Sequence, residues 1–125
     1  MKKLLPILGL SLGLTTAANA NDKPFAVGDV FFCEMLANVE YSFSEKRLKN
    51  YILEKFKFTI SSEKAITFGQ SSNTFKDLTL YIEMLSDDLL LAKSNLEDLS
   101  VHKNGEFTYT FNLGDMMVAA QCDRF

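Results

Sequence analysis

Histidine occurs once in the 125-residue chain, cysteine and proline twice each, and tryptophan not at all. One histidine and two cysteines fall short of the four-ligand set that a zinc site needs. The lone His102 also leaves a Ser/His/Asp or Cys/His catalytic unit hard to assemble. The six glycines are scattered, with neither G-x-G-x-x-G nor Walker spacing, so no phosphate cradle is written into the chain. Thirteen basic residues stand against 16 acidic ones, which excludes the basic footprint of a nucleic-acid binder. No apolar run reaches the ~20 residues needed to span a bilayer. The length fits one domain, and the composition is that of an ordinary globular chain.

Residues 1–20 carry an address. Lys2 and Lys3 form a positive start, Leu4 to Leu14 an apolar stretch, and Ala18-Asn19-Ala20 the small-x-small pattern of a signal-peptidase site. Cleavage after Ala20 is expected to leave a single β domain over 21–125, exported to the periplasm or the extracellular space. No cysteine lies near the cleavage point, so no lipid or other stable membrane anchor is expected. Removal of Lys2 and Lys3 leaves 11 basic residues against 16 acidic ones, a net charge of −5. Such a balance disfavours nucleic acid and anionic membranes and favours a basic protein partner.

Export makes a disulfide between Cys33 and Cys122 the natural expectation, because exported compartments are oxidising. Two buried thiols or a bridge between chains are the alternatives. An intramolecular bridge closes a loop of 90 residues, counting both cysteines, and the chain-entropy model gives roughly 4.6 kcal/mol for that as an upper value. A redox role is not indicated, for want of a C-x-x-C motif.

The mature chain reads as short strands separated by turns. Asp29 to Val39 is predicted as a strand with Phe31, Cys33 and Met35 on one face and Phe32 and Leu36 on the other, covered on both sides. Residues 45–52 suggest a short helix, with Ser44 as N-cap and Leu48, Tyr51 and Ile52 at helical spacing; a hairpin arm running into the next strand is the alternative. Beyond this point the period is two. Phe56, Phe58 and Ile60 alternate with polar residues, as do Ile66 and Phe68, then Leu78, Leu80, Ile82 and Met84. Leu89 to Lys93 forms another strand, and Met116, Val118, Ala120 and Cys122 alternate along the last one.

Asn104-Gly105 invites a two-residue hairpin turn. That register would set the apolar faces of the two strands against each other. A three-residue loop, Lys103-Asn104-Gly105, instead pairs Val101 with Phe107 and Leu99 with Tyr109. It gathers the large apolar residues on one face and is preferred, with Gly105 in the left-handed position. The predicted core includes Phe56, Phe58, Phe68, Phe107, Tyr109 and Phe111. Seven or eight strands imply a mainly β fold, an antiparallel sandwich or a small barrel.

The remaining chemical signals are bland. His102 flanks a turn, with Ser100 and Asp98 on its own side, and Asp87-Asp88 reads as a solvated turn without a calcium-loop pattern. Lys46, Arg47, Lys49, Lys55 and Lys57 form a local basic cluster beside Glu45 and Glu54, read as a solvated face. No catalytic, cofactor or metal residue is assigned, and an enzyme is not expected. Eleven phenylalanines and four tyrosines form a heavy aromatic load. At period two they point to core more than to a ligand pocket.

The segments Phe31-Phe32-Cys33-Glu34, Glu54-Lys55-Phe56-Lys57-Phe58, Ile66-Thr67-Phe68-Gly69, Phe107-Thr108-Tyr109 and Cys122-Asp123-Arg124-Phe125 resemble those of small exported bacterial proteins of uncharacterised function. Size, leader and terminal-strand cysteines are also similar to those of the periplasmic inhibitors of C-type lysozyme. That resemblance implies a small β-barrel with a Ser-Gly-x-x-Tyr inhibitory loop. The nearest stretch here is Ser71-Ser72-Asn73-Thr74-Phe75, without the Gly and the Tyr. The leading expectation is an envelope binding or inhibitor-type module acting by protein–protein contact. The alternative is a lipocalin-like carrier of a small apolar ligand.

Overall fold

The computed structural model describes residues 23–125, so the expected leader and cleavage after Ala20 lie outside the described residues. Nine strands follow in order: β1 (Val30–Ser42), β2 (Arg47–Asn50), β3 (Lys55–Ser62), β4 (Ala65–Phe68), β5 (Thr79–Leu85), β6 (Leu89–Lys93), β7 (Glu97–His102), β8 (Glu106–Phe111) and β9 (Met116–Arg124). All pairings are antiparallel, and β1 pairs with both β3 and β9. Eight strands therefore close into a barrel, with β2 as an additional strand on the upper half of β1. A barrel resolves the two architectures left open by the strand count.

Alternation decides what faces inward. Phe31, Cys33 and Met35 of β1, Phe56, Phe58 and Ile60 of β3, and Ile66 and Phe68 of β4 are all buried. So are Leu80, Leu90, Ala92, Leu99, Val101, Phe107, Tyr109, Val118, Ala120 and Cys122 from the remaining strands. Cys33 and Cys122 stand directly opposite each other in the β1–β9 seam and are joined by a disulfide. The three-residue hairpin loop is also as expected: Leu99 pairs with Tyr109 and Val101 with Phe107. Gly105 has φ +93°, and an added Cβ would collide with the Cys122 carbonyl oxygen. Gly105→Ala should therefore lower stability by roughly 2–3 kcal/mol through backbone strain and a displaced β8–β9 seam. A denaturant midpoint equal to that of the parent protein would contradict this.

Four expectations need correction. Residues 45–52 are not helical: β2 pairs with β1, Tyr41 opposite Leu48 and Glu40 opposite Lys49. The cause is the length of β1, whose upper half extends beyond β3 and finds backbone partners in β2. Ser44 makes no helix cap; it contacts the Ser42 hydroxyl, which accepts the Glu45 N–H instead. Second, β1 is covered on its inner face only, leaving Phe32 44% and Leu36 66% exposed. Third, Met84 faces outward, because a bulge between Ile82 and Met84 shifts the phase so that Leu85 turns in. Fourth, Phe111 is 37% exposed at the upper rim, beyond the level at which the interior is stoppered.

The stoppers are two phenylalanines outside the strands. Phe75, from the connection between β4 and β5, is fully buried among Phe56, Phe68, Phe107 and Tyr109, with ring centroids 4.7–5.9 Å apart. Phe25, from the entry segment, closes the other end against Phe31 at 5.8 Å. There the buried Arg124 donates from Nη1 to the Pro24 carbonyl at 2.8 Å and to Asp29 Oδ2 at 3.3 Å. Its guanidinium lies over the Phe25 and Phe31 rings at 5.0 and 5.4 Å. The last strand thus fastens the entry segment at Pro24 and Phe25.

Candidate functional site

The upper end of the barrel is built differently from the lower. Glu34 pairs with Lys55 and, five residues on in each strand, Val39 pairs with Asn50. β2 and β3 are therefore one long strand in a single register, interrupted at 51–54. The Tyr51 N–H still donates to the Asn38 carbonyl, and the Met35 N–H to that of Glu54. Between these anchors β1 carries a bulge at Leu36 relative to β9. The bulge reverses the phase of β1, so that Asn38 turns inward and is only 4% exposed.

This interruption exposes apolar side chains. Tyr51, Ile52 and Leu53 are consecutive and exposed, Ile52 to 83%. Three exposed apolar residues in a row are unfavourable unless something uses them. Tyr41, Phe43 and Leu48 on the hairpin add to the surface, with Tyr41 and Phe43 edge-to-face at 4.8 Å. β2 is also the one strand among those described with an unpaired edge. Its shortness and its charges, Arg47 and Lys49 both paired with Glu45, are the usual protections of an edge. Much of the basic cluster is therefore tied up locally, Lys55 with Glu34 included.

An open cleft of about 400 Å³ lies between this hairpin arm and the connection that carries Phe75. Its lining includes Asn38 and Glu40 of β1, Tyr51, Ile52 and Glu54 of the interruption, Asn73 and Thr74 opposite, and Met116 of β9. Glu54 organises the far wall. It accepts the Ser72 hydroxyl at 2.6 Å and the Asn73 and Thr74 N–H groups at 3.2 and 3.3 Å. Desolvation pushes its carboxyl up, but these hydrogen bonds outweigh it and hold the pKa below the ordinary carboxylate value. Glu54 is therefore ionised at neutral pH. Ser72, itself buried, accepts the Thr74 and Phe75 N–H groups and sets the turn that drives Phe75 inward.

Glu40 accepts the Tyr51 hydroxyl at 2.6 Å, and this bond raises the Tyr51 pKa, assisted by desolvation. Neither Glu40 nor Glu54 has a cationic partner among the described residues. On the floor, the Asn38 Nδ2 donates to the Ile52 carbonyl at 3.1 Å, while its buried Oδ1 has no donor among the described residues. A second polar group sits deeper at the same end. Tyr109 and Ser94 donate to the two oxygens of Glu97, each at 2.6 Å, and burial followed by that bond raises the Tyr109 pKa well above its ordinary value.

The residues singled out in the sequence lie elsewhere. His102 is exposed at the end of β7, with Ser100 and Asp98 along the outer face. Asp87-Asp88 forms the β5–β6 turn, where Asp88 meets Lys103 at 3.3 Å. The stretch Ser71–Phe75 is the stopper connection, with Ser72 and Phe75 both turned into the protein. Sequence reasoning missed Asn38, Ser72, Phe75 and the role of Glu54. Arg124 could have been found: it extends the inward alternation of Val118, Ala120 and Cys122 by one step. No protein-family model, curated protein or solved structure matches the chain.

Proposed function

We propose that the protein is an exported binding or inhibitor-type module of the cell envelope that acts by protein–protein contact through its hairpin arm. The observation that carries this reading is the unbroken exposed run Tyr51-Ile52-Leu53, set beside Tyr41, Phe43 and Leu48 on the arm. Apolar groupings of this kind on a small domain mark contact sites. The packed interior supports it as well. Rings from β3, β4 and β8 meet those of Phe75, so cargo would have to displace close-packed side chains. Export through residues 1–20 and a non-enzymatic role belong to the same proposal, and the disulfide is compatible with an oxidising compartment.

The test uses the oxidised mature protein as bait in envelope extract. The parent should capture a protein saturably, and Phe43→Ser with Leu48→Ser should lower that capture at least tenfold. Both side chains are exposed, so the melting temperature should barely change. Absence of saturable capture, or equal capture by the double variant, would remove the arm from the account.

A further inference from the structure

Resting on the reading of this end as a protein-binding surface, we infer that the cleft beneath the arm receives an arginine side chain of the partner. Three observations converge. Glu40 and Glu54 bring carboxylates to the cleft, and no cation among the described residues lies within ion-pair distance of either. Asn38 lines the floor and is 96% buried, and its solvent-shielded Oδ1 has no donor among the described residues. Ile52, Met116 and the Tyr51 ring supply apolar walls.

An occupant that fits must be a donor without acceptors, positively charged, with an apolar stem. Arginine has this character: a planar fork of five N–H donors on a three-carbon chain. Its guanidinium can meet carboxylates through charge-assisted hydrogen bonds and stack on an aromatic face. The cleft, at about 400 Å³, lies near the small end of ligand pockets and suits one long side chain. The hydrogen bonds that hold Glu54 ionised also hold it in place, so its charge stands ready before the partner arrives.

The surrounding charges agree with a cation brought from outside. Lys49, facing Glu40 across the hairpin, is engaged by Glu45 at 2.6 Å. Arg47 is engaged by the same carboxylate at 3.0 Å. The acidic mature chain adds long-range attraction for a basic partner.

The experiment titrates the oxidised mature protein with acetyl-Ala-Arg-Ala-amide while amide NMR shifts are followed. The neutral citrulline peptide serves as the isosteric control. Saturable shifts are expected at Asn38, Tyr51, Ile52 and Thr74, weakened by added salt and absent with citrulline. Glu40→Gln, whose native side chain makes one exposed hydrogen bond to Tyr51, should weaken binding roughly fivefold or more without altering the fold. Three results would each overturn the inference: no saturable shift up to about 20 mM, equal binding of the citrulline peptide, or unchanged affinity in Glu40→Gln. The titration needs no partner protein. A null result therefore removes the arginine assignment alone, whereas failure of the arm reading shows itself in the capture experiment.

Discussion

Phe75→Ala should be the most destabilising single substitution in the upper half of the barrel, lowering stability by about 3–5 kcal/mol. The ring is fully buried and touches four others, Phe56 and Phe68 at 4.7 Å, Tyr109 at 4.9 Å and Phe107 at 5.9 Å. Truncation removes its transfer energy and leaves a void under the rim, which a closed barrel cannot collapse to fill. Aromatic pairs at these spacings add roughly 0.5–1.5 kcal/mol each to simple burial. Against the 5–15 kcal/mol typical of a whole domain, the loss is a large share. Chemical denaturation measures it. A shift below about 1 kcal/mol would mean that the connection is a loose cover and not a stopper.

Opening the Cys33–Cys122 bridge should lower stability by about 2–4 kcal/mol. The bridge spans a sequence separation of 89 and lies in the seam where the first strand meets the last, so it removes loop-closure freedom from the unfolded chain. The barrel is closed by that seam. Amide exchange should therefore rise first in the facing stretches 31–35 and 120–124. Arg124, with its bonds to Pro24 and Asp29, limits the fraying at the lower end. Thiol titration of the untreated protein should find no free cysteine. An unchanged melting temperature after reduction would contradict the prediction.

The reach of the sequence is uneven, and particular residues show why. Alternation placed Phe56, Phe58, Ile66, Val118 and Cys122 inside, because period two is imposed by strand geometry wherever one face is buried. The 99–112 hairpin was legible for the same reason, since burial outranked the Asn-Gly preference. Alternation fails wherever a strand gains a residue. The bulge at Leu36 turns Asn38 inward, and the one beyond Ile82 turns Met84 outward. Nothing local in either stretch announces the change, which is set by the register of a neighbouring strand.

The helical spacing of Leu48, Tyr51 and Ile52 misled for a related reason. It describes residues with no buried face, and backbone pairing to an over-long β1 decided their conformation. The cleft was illegible because it is a tertiary product. Glu54 looked like one member of a solvated charge cluster; it is the carboxylate that holds the Phe75 connection. Phe75 itself lies outside any alternating run, among Asn73, Thr74 and Lys76, and only the open end of a barrel gives such a residue its place.

The central claim is that a filled, closed barrel presents its hairpin arm to a protein partner. A photo-crosslinking residue placed at Leu48, and separately at Glu63 in the β3–β4 turn of the opposite end, tests it in living cells. The account predicts one discrete protein adduct from position 48, suppressed by Glu40→Gln, and none from position 63. Adducts of equal yield from both positions, or none from position 48, would contradict it.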